Sequence, residues 1–427
     1  MRSKSLTVSV LATSALACLS LSAEVMDRPV GISIGQRMTL KPYVAASTTF
    51  DSNAEGRDNG GENVFWTVSP GFGLDYKGDS WTLLANVQYQ YNAYAKKRLN
   101  GPQNYHGISE NVAYRWSDSA PGERGWSLML AQTYSKTYED GAQGSGGLEY
   151  GTDRQAVNLA AALQRRFGSD IHADANANYY WLDYDSKDTN MGVRHGPFGW
   201  ERIMGGGEVG WAPSKWTDFL IAGSYQYYKQ DNSETYIGGY KPSNESKGFT
   251  VQGGLGSYAT DHITYRVLAG WSRFEYGGGS SGMTSDGFTY TASSNWTISE
   301  TWRTMLFATS FYQPTEREYG SSQRVDALTW GLAHSMVRGK LQGMFDIEYR
   351  HENPEYSWRD GNGKVSSADY SLDIVTFRLS LTYVINRYMS LFSSVSYRDS
   401  CGRGASSRGD AYTYDRYSGT LGVKFTY

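Results

Sequence analysis

The sequence predicts an all-β chain: a transmembrane antiparallel up-and-down β-barrel of about 18 strands, within a range of 16–18, with short periplasmic turns and long extracellular loops. Three observations predict it. Apolar and polar residues alternate through one segment after another. The connections between those segments are short, then long, then short again. The chain also carries 34 Tyr, 13 Trp and 49 Gly against only 10 Pro, which suits a closed sheet with aromatic girdles better than a soluble β-protein punctuated by proline.

The N-terminus reads as a secretory signal over residues 1–23. Arg2 and Lys4 form a positive start, Leu6 to Leu21 is mostly apolar, and the small residues Ser22 and Ala23 follow. Cleavage is expected after Ala23, with Ala17 as the alternative. Acylation at Cys18 would require a better lipobox than Ala15-Leu16-Ala17. Residues 24–37 are then a short periplasmic segment, and 38–427 form the barrel. Removing Arg2 and Lys4 lowers Lys+Arg from 40 to 38 against 43 Asp+Glu, a net charge of −5. No basic excess points to nucleic acid. The mature chain has no apolar run of the ~18 residues that a membrane helix needs. The full sequence's mean hydropathy of −0.54 is compatible with a barrel, where only alternate residues must be apolar.

The alternation marks strands at 38–51, 64–77, 79–95, 105–118, 125–140, 154–168, 170–185, 200–213, 216–231, 247–260, 262–277, 286–299, 301–314, 323–338, 340–353, 367–385, 387–399 and 411–427. Three of them show the pattern most clearly. Trp81, Leu83, Ala85, Val87, Tyr89 and Tyr91 share one face, while Thr82, Asn86, Gln88, Gln90 and Asn92 share the other with Leu84. Leu341, Gly343, Phe345, Ile347 and Tyr349 oppose Gln342, Met344, Asp346, Glu348 and Arg350. Val375, Phe377, Leu379, Leu381, Tyr383 and Ile385 oppose Thr376, Arg378, Ser380 and Thr382. In these three, every mid-strand charge falls on the polar side. A helix or a sandwich core offers no such side.

Short turns such as Lys77-Gly-Asp-Ser80, Ala212-Pro-Ser-Lys215 and Asn386-Arg387 alternate with loops rich in Gly, Asp, Asn and Ser. Strict alternation gives an even strand number with both termini in the periplasm. The last strand places Leu421, Val423, Phe425 and Tyr427 on one face. It ends the chain on an aromatic, as outer-membrane barrels do where the final residues serve as an assembly signal. Outer-membrane lipid and the barrel assembly machinery are the partners this expects, in a Gram-negative outer membrane.

Catalytic and metal chemistry find no footing. His106, His172, His195, His262, His334 and His351 make no His-Glu-x-x-His pair or other close ligand spacing. Cys401 is the single cysteine of the mature chain, so neither an internal disulfide nor a cysteine zinc site is expected. No Gly-x-Ser-x-Gly elbow and no phosphate-binding Gly-Lys-Ser/Thr loop occurs. No enzyme, cofactor or metal is expected.

If the polar face lines a water-filled lumen, its wall includes Asn86, Gln88, Gln90, Arg115, Arg166, Asp174, Asn176, Glu208, Arg266, Asp346, Glu348, Arg350, Arg378 and Lys424. Such residues either sit as solvated ion pairs with no selective role or form opposed charged patches that orient dipolar solutes. Asp346, Glu348 and Arg350, three inward charges on one strand, are the expected selectivity segment. The loop 139–153 either folds inward to narrow the pore or stays outside. Trp181, Trp271, Tyr89 and Tyr91 lie on the apolar face, where interfacial belts explain them better than sugar stacking.

The first quarter of the chain carries a resemblance. Pro42-Tyr-Val-Ala-Ala-Ser-Thr-Thr-Phe-Asp-Ser-Asn53, Ser69-Pro-Gly-Phe-Gly-Leu-Asp-Tyr76 and Tyr105-His106 are similar to motifs of the β-barrel porin family found in exopolysaccharide loci. Past residue 120 the likeness is architectural only. It implies an outer-membrane channel for hydrophilic solutes, saccharide or exopolysaccharide among them, with polysaccharide-export components as partners and no catalytic residues. The competing reading is a barrel acting as adhesin or enzyme through its extracellular loops.

Overall fold

The computed structural model describes residues 31–53, 61–96, 104–118, 124–139, 152–168, 170–184, 189–190, 193–194, 199–230, 245–257, 260, 262–277, 283–313, 322–337, 339–359, 365–368, 370–404 and 413–427. The expected signal segment and the body of the 139–153 loop lie outside the described residues. Eighteen long strands form the wall: β1 Met38–Asp51, β2 Asn63–Lys77, β3 Trp81–Tyr94, β4 Asn104–Ser117, β5 Gly125–Glu139, β6 Thr152–Arg166, β7 Ile171–Tyr184, β8 Trp200–Ser214 and β9 Thr217–Gln230. The second half comprises β10 Glu245–Gly256, β11 Ile263–Tyr276, β12 Met283–Thr297, β13 Trp302–Gln313, β14 Ser322–Met336, β15 Leu341–Arg359, β16 Tyr370–Asn386, β17 Met389–Gly404 and β18 Tyr414–Thr426. Each pairs antiparallel with its sequence neighbours, and β1 pairs with β18, so the sheet closes into a barrel. Closure leaves no lipid-facing edge, the condition for a sheet to span a bilayer.

Most strand bounds fall within a few residues of the alternation. Two strands run well past it. β15 reaches Arg359 rather than 353, where the short strand Val365–Ala368 turns back on Tyr356–Arg359. β17 reaches Gly404 rather than 399. Above the bilayer both faces meet water, so a strand there needs backbone pairing but no apolar alternation, and the periodic signal fades before the strand does.

The seam joins the first and last long strands. β18 pairs with β1 from Ser418↔Asp51 to Thr426↔Tyr43. Tyr427 N–H then donates to the Pro42 carbonyl at 3.0 Å. Pro42 has no N–H to return. Below this point Ile32–Ile34 folds back on Met38–Leu40 and covers what remains of the β1 edge.

Register fixes the faces. The outer face carries large apolar side chains open to the surroundings: Ile221 is 70% exposed, Leu421 66% and Val209 57%. A soluble protein would bury such a belt, whereas hydrocarbon requires it. Aromatics flank it, with Trp81, Trp116 and Trp211 near the periplasmic turns and Tyr89, Trp181 and Trp271 above. Arg165 lies over the rings of Trp126 (4.6 Å) and Phe167 (4.9 Å), where a cation meets the interface. Above the belt the outer face turns ionic. Lys136 meets Asp153 at 3.5 Å and Lys247 meets Glu275 at 3.6 Å, while Lys229 sits between Glu201 and Glu245. This charged rim marks where strands of 12 to 19 residues leave a bilayer that ~9–11 residues can cross.

Glu110 and Gln132 interrupt the outer apolar pattern. Glu110 shares its outward position with Val87 and Tyr134, and Gln132 shares its own with Val112 and Leu159.

Candidate functional site in the lumen

All the residues expected on the wall occupy the face opposite the apolar belt. Asn86, Gln88 and Gln90 lie on β3, and Arg115, Arg166, Asp174 and Asn176 on β4, β6 and β7. Glu208 is on β8, Arg266 on β11, Asp346, Glu348 and Arg350 on β15, Arg378 on β16, and Lys424 on β18. Leu421, Val423, Phe425 and Tyr427 face the other way, into the belt, with Tyr427 67% exposed.

Several wall residues touch across a whole strand, and glycine explains how. Tyr43 on β1 reaches Asn86 Oδ1 and Gln88 Oε1 on β3, donating its hydroxyl at 3.2 Å to each. Gly71 of β2 lies between them, and a Cβ there would stand 2.5 Å from Tyr43 Cζ. His172 on β7 meets Asp218 on β9, Nε2 to Oδ2 at 2.8 Å, over Gly210 of β8. Tyr312 on β13 donates to the Asp286 carbonyl at 3.3 Å and packs on Phe274 of β11, ring centroids 5.9 Å apart. Gly287 of β12 gives it room, since a Cβ would lie 2.6 Å from the Tyr312 oxygen. Arg266 on β11 spans still further, pairing with Glu208 on β8 across β9 and β10. A missing side chain on the intervening strand acts as a gap through which inward groups join.

The charges are mostly paired. Arg378 donates from Nε to Asp346 at 2.7 Å and from Nη2 to Glu348 at 2.9 Å. Arg350 turns to Glu352, Nε to Oε1 at 2.6 Å. The expected selectivity segment is therefore bound up in its own ion pairs. Lys41 pairs with Asp75, Arg416 with Asp51, and His172 Nδ1 lies 3.4 Å from Asp174. The carboxylates of these pairs include deeply buried ones, Asp51 and Asp346 among them, and such groups persist in a wall only when partnered. Lys424 instead places Nζ 4.3 Å from the centre of the Tyr43 ring, which ties it to Asn86 and Gln88 through that tyrosine. Arg115 joins none of these groups among the described residues.

Sequence reasoning missed two features. The first is Tyr43 itself, which sat unremarked on the polar face; its signal was a pairing with Gly71 that only register reveals. The second is a buried collar at the extracellular end of the inner face. Leu182, Tyr184, Trp200 and Tyr228 pack with Ala156 and Tyr180, and Phe274 and Tyr276 pack with Tyr312. Tyr180 and Trp200 stack with centroids 4.7 Å apart, and Arg202 lies 5.7 Å from the Trp200 ring. The wet face is thus polar at mid-height and aromatic at the mouth. Three or fewer residues per strand carry this change, too few to disturb a period-2 pattern.

Among the described residues no group of three or more His, Cys, Asp or Glu is placed to hold a metal ion.

The sequence of residues 33–194 matches the family described as "Putative MetA-pathway of phenol degradation". That stretch is less than half of the chain. No curated protein matches. Among solved structures, the chain is similar to the FrpB iron transporter of Neisseria meningitidis at 12% identity and a TM-score of 0.49, covering 88% of this chain and 64% of that one. It thus spans less than two thirds of that transporter's length. It is also similar to the ferric enterobactin receptor PfeA of Pseudomonas aeruginosa, at 9% identity, coverage of 93% and 82%, and a TM-score of 0.46. The outer membrane protein opdK of Pseudomonas aeruginosa compares at 10% identity, coverage of 91% and 98%, and a TM-score of 0.43. With identities this low and TM-scores below 0.5, these likenesses carry no argument about this chain. The chain's own closed sheet, apolar belt and charged rim make it a barrel of the Gram-negative outer-membrane type.

Proposed function

We propose that the chain is an outer-membrane channel for hydrophilic solutes, saccharides among them, and that it has no catalytic activity. The observation that carries this reading is the sidedness of the wall. An apolar belt faces out, while amides, hydroxyls and ion pairs face in along the mid-height of β1, β3, β15 and β16. Eighteen strands give a barrel whose interior is wider than its own side chains fill, since ~16–18 strands enclose an aqueous channel. Amides such as Asn86, Gln88 and Gln90 offer both donors and acceptors to a hydroxyl-rich solute without a fixed charge. The collar of Tyr184, Trp200 and Tyr228 packs together at the extracellular end of the inner face. Exopolysaccharide export, with its partner proteins, is the more specific form of the same proposal, supported by the motif resemblance of residues 42–106.

Purified protein in a planar bilayer tests the reading. Stepwise current is expected, reduced by added oligosaccharide. Absence of current at any voltage would sink it.

A further inference from the structure

We infer that the lumen prefers anionic solutes; this rests on the channel reading above and names the class of solute. The whole chain is slightly acidic, net −3, so composition alone predicts no such preference. The inner face departs from that composition. Each inward carboxylate whose side chain is described takes a lysine, an arginine or His172 as partner, with His172 shared by Asp174 and Asp218 and Arg378 shared by Asp346 and Glu348. The inward cations are not used up by those pairs. Arg115 on β4 makes no ion pair among the described residues. Arg398 on β17 lies 5.8 Å from the Tyr414 ring, and Lys424 lies over Tyr43, so both rest on aromatic faces rather than carboxylates. Many of the remaining acids, such as Glu201, Glu275 and Asp415, face outward on the rim, away from the permeation path.

The field in the lumen follows from this sorting. A carboxylate beside its own guanidinium is a dipole whose field dies within a few ångströms, and the two shared cations, His172 and Arg378, leave one acid each in excess, fewer than the three cations that rest beside no acid. Arg115, Arg398 and Lys424 are monopoles, and low-dielectric walls focus their field along the water column. They also differ in height. Arg115 and Lys424 sit near the periplasmic turns and Arg398 well above them, so an anion meets a cation at more than one level. Their placement suits small carboxylates, phosphates and other compact anions, as well as acidic saccharides.

The test is the reversal potential of the full-length protein in planar bilayers under an about tenfold KCl gradient, with the dilute side at ~0.1 M so that the Debye length stays near 10 Å. The expected chloride-to-potassium permeability ratio is above one. The triple variant Arg115→Gln, Arg398→Gln, Lys424→Gln should lower it about twofold or more, on the scale by which charged rings tune other pores. Lys424→Gln alone gives the same direction if the triple variant fails to fold. A ratio at or below one in the unmodified protein overturns the inference while leaving the channel intact. A ratio unmoved by the substitutions also overturns it. No current at all removes the channel and the preference together.

Discussion

His172 and Asp218 meet through the strand that separates them. They belong to β7 and β9, yet Nε2 and Oδ2 are 2.8 Å apart, because Gly210 of β8 puts no side chain in the way. Both partners are almost fully buried, with side-chain exposures of 6% and 7%. The contact therefore depends on a residue that takes no part in it.

Gly210→Val should be costly for this reason. A Cβ at Gly210 would overlap the His172 ring and stand 2.8 Å from Asp218 Oδ1, so the pair must separate. Breaking a buried ion pair costs about 3 kcal/mol. A lower urea midpoint for the folded, heat-modifiable gel band is the expected outcome. Gly205→Ala, five residues along the same strand and on the outer face, with its nearest atom at 3.9 Å, should be near neutral. Equal effects of the two would refute the gap.

Arg378→Ala should leave Asp346 and Glu348 facing each other without a counter-charge. Arg378 is half exposed, so water offsets part of the loss, and about 1 kcal/mol of destabilisation is expected. Adding Asp346→Asn to it should recover part of that loss, since one of two like charges is gone. Urea titration of single and double variants checks the recovery; a double variant weaker than the single would contradict the pairing.

The belt predicts an asymmetry between faces. Val423→Arg and Phe377→Arg put a charge into hydrocarbon, at a cost of about 2–4 kcal/mol near the midplane and less toward the interface. Folding yield into lipid vesicles should fall for both. Gln88→Arg, on the inner face, should fold as the unmodified protein does. Similar yields for all three would mean that the faces are assigned wrongly.

Glu110→Leu should raise stability. The carboxylate lies on the outer face between Val87 and Tyr134, and among the described residues no cation pairs with it. Replacing it with an apolar side chain removes a lipid-facing polar group, worth about 1 kcal/mol for an acid part-way up the belt. A loss of stability in vesicles would show that Glu110 has a partner in the membrane.

How much of this was legible in the chain differs by level. The strands were, because each must satisfy lipid on one side and water on the other, and that double demand writes a period of two into residues such as Trp81 to Tyr91. The inward placement of Asp346, Glu348 and Arg350 followed from the same rule. Their partners did not. Arg378 becomes the counter-ion of two acids only when β15 and β16 are set in register, with Asp346 opposite Arg378. The upper reaches of β15 and β17 were hidden because nothing above the rim constrains which side chain faces where. Glu110 and Gln132 sat inside otherwise good alternations, where one polar residue in an apolar row reads as noise. The aromatic collar was hidden by the reverse, a few rings in a polar row.

Glycine gaps settle a question that alternation leaves open. Sliding one strand past its neighbour by two residues keeps every apolar group in lipid and every polar group in water, so patterning cannot forbid the slip. Tyr43 through the notch at Gly71, and Tyr312 through the notch at Gly287, can forbid it, because after such a slide the aromatic would strike a neighbouring side chain instead of empty space. These notches work like the wards of a lock. A correctly threaded barrel turns home, and a frame-shifted one jams while its strands are still being zipped.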